Sequence, residues 1–385
     1  MRRTALSLGA ALLATTLAAP SAPSAAASAA DASRTAVRQS GKGVVVSVAP
    51  LPASLWLPGT GKAYRLTYTS TGPTGGPAIS SGAMFVPQGA PPAGGWPVVS
   101  WTHGTVGLGD ACAPSTAGRS QRDITYLTTW MSKGYAIVST DYVGLGTPGG
   151  HPYLDGRSAA YSAADMVRAA RGVDRSLASK WVVIGQSQGG HAALFTSVLA
   201  ARYAPELDFR GAVATGPPSN LEGIVSLAGP YIPPIPIPDL TAYTAYILAG
   251  LRAARPAFDL DRYLTPLGKE VVRDAGELCY ADMVKRTNGI GIGQLLNRSL
   301  FDAAFFNALR GVMEVPLTGH TRPLYIAQGM ADLTVPIPLT LKLAADLKAR
   351  GAPLTFKAYA GADHSGTMAA SLPDTTRFVA ALFAR

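Results

Sequence analysis

Short apolar runs alternate with longer amphipathic stretches along most of this chain. Tyr64–Ser70 and Ala78–Val86 read as a strand pair joined by the turn-forming cluster Gly72-Pro73-Thr74-Gly75-Gly76-Pro77. Pro97–Thr102 is a short buried strand, and Arg119–Lys133 has helical spacing that stops at Gly134. Tyr135–Thr140 is a further strand, after which Asp141 opens a Gly-rich loop. Arg157–Arg175 reads as an amphipathic helix with Ala160, Ala164, Val167 and Ala170 inward. The run Trp181–Ile184, a helix start at Ala192-Ala193-Leu194-Phe195 and the strand Gly211–Thr215 continue the series. This alternation predicts an α/β class: a mostly parallel central sheet flanked by helices on both faces. Such sheets place their sites at the carboxyl ends of the strands.

The alternation stops at Pro217. Up to residue 318 the chain carries the Pro/Ile-rich run Pro230–Pro238, then helical stretches at Leu240–Leu251, Asp259–Ala275 and Leu300–Leu309. A connection this long, with helices of its own, reads as a helical cap or lid inserted into the sheet domain. Alternation resumes with Pro323–Gln328, a helix at Ile337–Arg350, a strand at Leu354–Tyr359 and a closing helix from Thr367. The domain reading is therefore a sheet core in two parts, 30–216 and 319–385, around a cap at 217–318. Residues 30–60 read as an irregular, Pro/Gly-punctuated arm.

The first 29 residues stand apart. Basic Met1-Arg2-Arg3, an apolar stretch from Leu6 to Ala19 and the small-residue site Ala27-Ser28-Ala29 make a secretory leader, cleaved near Ala29. It is too short and small-sided for a membrane span, and no later segment holds 18 continuous apolar residues, so no membrane anchor is expected. The formal charge of +10 includes Arg2 and Arg3, which leave with the leader. The remaining basic residues are scattered, without the aromatic interleaving of a nucleic-acid surface. Two cysteines, Cys112 and Cys279, suit one disulfide in a secreted chain, tying a loop near the site to the insertion; two buried thiols are the alternative. The histidines are isolated, with no metal-ligand spacing, and neither a P-loop nor a dinucleotide fingerprint is present, so no metal or cofactor is expected.

Chemistry concentrates at Gly185-Gln186-Ser187-Gln188-Gly189, a G-x-S-x-G between an apolar run and a helix start. That is the setting of a nucleophile elbow: a tight, strained turn that exposes Ser187 and needs small neighbours. A serine hydroxyl needs a base to take its proton. In this arrangement an acid and then a histidine follow the serine in sequence. His364, in Gly361-Ala362-Asp363-His364-Ser365-Gly366 between the last strand and the last helix, fits the base. Asp332, after the preceding strand, fits the acid that orients it; adjacent Asp363 is the rival. His320 precedes a strand and reads as structural. Two backbone N–H groups should hold the oxyanion, one from Gln188 and one from Gly104 or Thr105, where the Thr105 hydroxyl could add a third donor. His103 reads as an anchor for that loop, and His191 as a helix-surface or supporting residue.

Ser100-Trp101-Thr102-His103-Gly104-Thr105, Asp110-Ala111-Cys112-Ala113-Pro114-Ser115, Asp141-Tyr142-Val143-Gly144-Leu145-Gly146 and the elbow together resemble the secretory lipase family, which spans fungal lipase A-type and actinobacterial secreted enzymes. The resemblance covers nearly the whole chain after the leader. It implies an α/β-hydrolase fold with a cap, and carboxylic ester hydrolysis with triacylglycerols as typical substrates. By it Ser187 is the nucleophile, Asp332 the acid and His364 the base. Some members carry an acidic residue where this chain has Gly104-Thr105. The expected partner is an acyl ester or lipid, met at a lipid–water interface. A short-chain esterase with a structural cap is one alternative. A secreted serine peptidase, with Glu222 or Asp239 gripping a substrate amino terminus, is another. The complete set of reactive groups argues against a non-catalytic binding protein.

Overall fold

A computed structural model describes residues 41–235 and 239–384. The leader assigned to residues 1–29 lies outside these, as do residues 236–238 of the Pro/Ile-rich run. Nine strands form one sheet in the order β1-β2-β3-β5-β4-β6-β7-β8-β9. They are β1 Val45–Pro50, β2 Thr60–Thr71, β3 Pro77–Pro87, β4 Trp96–Thr102, β5 Ala136–Val143, β6 Leu177–Gln186, β7 Asp208–Thr215, β8 Leu324–Gly329 and β9 Leu354–Tyr359. From β5 to β9 the neighbours are parallel; β1, β2 and β3 add an antiparallel edge beyond β5. The class is α/β with a mostly parallel sheet.

The central strands are apolar on both faces because both faces are covered. Trp181 and Val183 of β6 pack with the helices Gly156–Val173, Gln188–Tyr203 and Ile337–Ala349, through Ala164, Val167, Leu194, Leu199 and Leu347. Val182 and Ile184, one residue out of phase, face Gln121–Met131 and Gly366–Phe383 through Leu127, Trp130 and Val379. The parallel register brings the strand ends level: Thr102 pairs with Gly185, Gln186 with Thr215, Thr215 with Ala327, and Gly329 with Tyr359. That level edge is the rim on which the reactive residues stand.

Between β7 and β8 the chain leaves the sheet and builds the helices Leu240–Ala254, Pro266–Ala275, Tyr280–Thr287 and Ala303–Met313. They enclose a core of their own, including Tyr246, Leu251, Tyr263, Val271 and Phe305, completed by Leu108, Tyr153 and Leu154 from loops at the rim. Cys112 and Cys279 are joined in a disulfide with 5.4 Å between Cα atoms. Beside it Gly107 pairs with Cys279, and Tyr280 N–H donates to Val106 O at 2.9 Å. The loop after β4 is thus sewn to the cap two residues beyond Thr105.

Several elements differ from the sequence reading. The arm at 30–60 contains the edge strand β1, and five of its six residues are exposed, so no buried alternation marks it. The stretch Asp259–Ala275 is not one helix. It breaks at Leu264, and Thr265 caps a new helix by accepting from Gly268 N–H at 3.0 Å, with Pro266 in the first turn. Asp141 does not open a loop: β5 runs through it to Val143, and the buried carboxylate accepts from Ser81 Oγ at 2.7 Å and Ser115 N–H at 2.9 Å.

Candidate active site

Ser187 sits between β6 and the helix Gln188–Tyr203 with φ +55° and ψ −122°, a conformation L-residues rarely hold. Packing enforces it. A Cβ on Gly185 would fall 2.0 Å from Gly189 O, and one on Gly189 would fall 1.8 Å from Thr102 O. Both flanking positions are therefore restricted to glycine. Ser187 N–H donates to Thr215 O at 2.9 Å, which ties the turn to the end of β7.

One residue further, Gly216 (φ +54°) turns the chain beneath His364. A Cβ there would stand 3.1 Å from the imidazole and 3.4 Å from Asp332 Oδ2. Ser187 and His364 thus flank the same dipeptide, Thr215-Gly216. His364 Nδ1–H donates to Asp332 Oδ2 at 2.7 Å, and its Nε2 is buried without a hydrogen-bond partner. The structure closes the Asp332–His364 bond and leaves the His364–Ser187 bond open, as free sites often do before substrate tightens them. Asp332 is itself overdetermined. Thr334 and Val335 N–H donate to Oδ1 at 3.0 and 2.8 Å, and Gln328 Nε2 donates to Oδ2 at 2.9 Å. Gln328 is oriented by Thr340 Oγ1–H, which donates to its Oε1 at 2.9 Å. The rival Asp363 turns away: its Oδ1 accepts from Gly366 N–H at 2.6 Å.

On the other side of Ser187, the Gly104 backbone lies close. A Cβ on Gly104 would be 3.5 Å from Ser187 Cβ and 2.5 Å from Gln186 Oε1. Gln188 opens the following helix, where backbone N–H groups have no intrahelical acceptor. Its side chain donates to His151 Nε2 at 2.8 Å, and His151 Nδ1–H donates to Val143 O at 2.9 Å. The Thr105 hydroxyl is engaged with Tyr153 OH at 2.7 Å. His103 Nδ1–H donates to Gly104 O at 2.7 Å, and burial lowers its imidazole below the usual range, so it stays neutral. Tyr142 OH donates to His103 O at 2.8 Å and completes the anchoring of this loop.

His191 is not at a helix surface. It is fully buried, its Nε2–H donates to Met313 O at 2.8 Å, and burial pulls it down to about 4. His320 bridges Ser197 Oγ and Pro316 O at 2.7 Å each, a structural post. Sequence reasoning missed Gln328, Gly216, Tyr153 and Arg122. Arg122 reaches both sides of the site, donating to Gln186 Oε1 at 3.3 Å and Ser365 Oγ at 3.1 Å. Only Gly216, directly after a strand, left a signal in the sequence. Asp239 accepts from Tyr280 OH at 2.6 Å, and burial raises the carboxyl of Glu222 above its usual range. Glu222 is buried, and one oxygen of Asp239 is taken by Tyr280.

A family profile described as Secretory lipase matches residues 112–385. The chain belongs to the secretory lipase family. It is 24% identical to lipase A of Moesziomyces aphidis over 77% of this chain and 63% of that one. It is 25% identical to a probable inactive lipase of Mycobacterium tuberculosis over 84% of this chain and 74% of that one. Among solved structures it is similar to Candida antarctica lipase A in its closed state, with TM-score 0.73 and 20% identity, covering 90% of this chain and 83% of that one. It is also similar to a rice cell wall degrading esterase of Xanthomonas oryzae, with TM-score 0.69 and 20% identity over 88% of this chain and 97% of that one. These likenesses give the α/β-hydrolase fold. Family and fold together place this secretory lipase relative among the lipase and esterase hydrolases.

Proposed function

We propose that the chain is a secreted serine ester hydrolase that acts as a lipase, with Ser187 as nucleophile, His364 as base and Asp332 as the acid that orients it. What carries this reading is one combination. A strained serine opens a helix, and a half-buried histidine on the same rim has one nitrogen fixed by Asp332 and the other, buried, without a partner. His364 Nε2 takes the Ser187 proton as Oγ attacks the ester carbonyl. The oxyanion rests on the Gln188 N–H and a second N–H from Gly104 or Thr105. His364 returns the proton to the leaving alcohol, and water repeats the sequence on the acyl-enzyme.

An acyl-lipid substrate is favoured by the surface of the cap. Ile224, Leu227, Tyr231 and Phe301 are all more than half exposed. They gather on one side: Tyr231 OH donates to Leu227 O at 2.8 Å, and Leu300 N–H donates to Ala228 O at 2.8 Å beside Phe301. A patch of this kind suits a lipid surface.

Hydrolysis of p-nitrophenyl esters from acetate to palmitate, with a triolein emulsion alongside and Ser187→Ala as control, tests the reading. Turnover of long-chain and emulsified esters, lost in the variant, is the expected result. Activity confined to soluble short esters would make the chain an esterase with a structural cap. Wild-type turnover in Ser187→Ala would refute the site.

A further inference from the structure

The helix Gln121–Met131 begins beside the site with an unfavourable residue. Ser120 caps it by accepting from Asp123 N–H at 3.2 Å, which leaves Arg122 in the first turn, where the helix dipole repels a cation. Helix stability therefore does not call for arginine here. The side chain is spent on three partners instead. Nε and Nη2 both lie 3.0 Å from Asp123 Oδ1, and this carboxylate, 9% exposed, fixes the guanidinium plane. Nη2–H also donates to Gln186 Oε1 at 3.3 Å, and Nη1–H donates to Ser365 Oγ at 3.1 Å. Gln186 is the last residue of β6 and precedes Ser187; Ser365 follows His364 and precedes the helix Gly366–Phe383. Among the described residues no other side chain hydrogen-bonds to both segments. The buried Gln186 carries the link further. Its Oε1 lies 2.5 Å from where a Cβ on Gly104 would stand, against the loop that offers the second oxyanion donor.

We propose that Arg122 is a positioning residue: one guanidinium sets the spacing between the segment that carries Ser187 and the segment that carries His364. It acts through Gln186 and Ser365 and not on substrate, since each of its nitrogens already has an acceptor in the protein. The proposal rests on the reading of Ser187 and His364 as nucleophile and base. Two physical points favour spacing over stability. A planar fork with donors in fixed directions holds two acceptors at once, whereas a lysine ammonium on a flexible stem meets them as a point charge. The Arg122 side chain is also 36% exposed, where an ion pair adds little to folding. Spacing matters because His364 Nε2 has no partner in the free protein, and an error of about 1 Å in such a contact costs on the order of 10²-fold in rate.

Steady-state hydrolysis of p-nitrophenyl butyrate, a soluble ester that needs no lipid surface, tests this with Ser187→Ala as control. Arg122→Gln should lower kcat roughly tenfold or more, with KM within about twofold of wild type and an unchanged urea midpoint. Arg122→Lys keeps the charge beside Asp123 and loses the fork, so its kcat should stay within about threefold of Arg122→Gln. The exposed Ser365→Ala removes one arm only. It should lower kcat about threefold alone and no further in the Arg122→Gln background. Wild-type kcat in Arg122→Gln, full recovery with lysine, or independent losses from Arg122 and Ser365 would each overturn the proposal. A fall in the urea midpoint that accounts for the lost rate would make Arg122 structural and overturn it too. Turnover by Ser187→Ala, or none by wild type, would refute the reading of the site and this proposal with it. An inactive Ser187→Ala beside a fully active Arg122→Gln would refute the role of Arg122 alone.

Discussion

At the rim of the sheet, Ser187, Asp332 and His364 are held at adjoining strand ends by close packing and by hydrogen bonds, most of them on Asp332. In the cap, short helices surround a core of their own and join the rest of the molecule at a few seams. Ser187 is locked by two glycine approaches and the Thr215 carbonyl, and Asp332 by three donors besides His364. The cap is held by the Cys112–Cys279 disulfide, the Tyr280–Val106 bond, Tyr153 against Tyr246 and His191 against Met313. Its outer side leaves Phe301 77% exposed among the described residues. The contrast divides the labour. On the proposed reading, the sheet would hold the reacting groups and the cap would supply contacts with substrate and surface.

The largest expected effect separates the two regions most sharply. Asp332→Asn should lower kcat on the order of 10⁴-fold while leaving the fold intact, because the wrong imidazole tautomer would face Ser187. Equal loss from a cap substitution would erase the division. Next comes the disulfide. It closes a separation of 167 residues, so replacing both cysteines by serine should cost roughly 5 kcal/mol on chain-entropy grounds, less if strain is relieved. Chemical denaturation measures this, and rising KM with nearly constant kcat would place the damage in the cap.

The seam also responds to pH. Burial holds His151 and His191 down to about 4, whereas unfolded histidine protonates near 6.5. Between those values the unfolded chain binds more protons, so their contribution is complete above pH 6.5 and is lost as pH falls toward 4. His191→Gln, which keeps a donor for Met313 O, should recover roughly 2–3 kcal/mol of that loss at pH 4.5 in thermal melts. An unchanged pH slope would mean that the imidazole is not buried in solution. The smallest effect belongs to the cap surface. Phe301→Asp should reduce emulsion hydrolysis about tenfold and leave soluble short-ester turnover alone, since it removes apolar area that only a lipid surface would cover.

The two regions also differ in how readily they are read from sequence. The rim was legible because a strand end, a tight turn and a helix start each leave local signals, and Ser187, Asp332 and His364 all follow strands. Its supports were not. Arg122 and Gln328 act through contacts 64 and 4 residues away that no periodicity encodes. In the cap, Tyr280–Thr287 and Ile292–Leu295 are too short to show a full apolar stripe, and the break at Thr265-Pro266 was masked by helical spacing on both sides. The edge strand β1 escaped because Val46 and Val48 stand in solvent.

The central claim is that Ser187 is the residue that becomes acylated. Brief reaction with a p-nitrophenyl alkylphosphonate, followed by peptide mass spectrometry, tests it directly. One label per chain on the peptide containing Ser187, formed in step with loss of ester hydrolysis and absent in His364→Ala, is the predicted result. Full loss of activity with the label on another residue, or no label with activity retained, would contradict it.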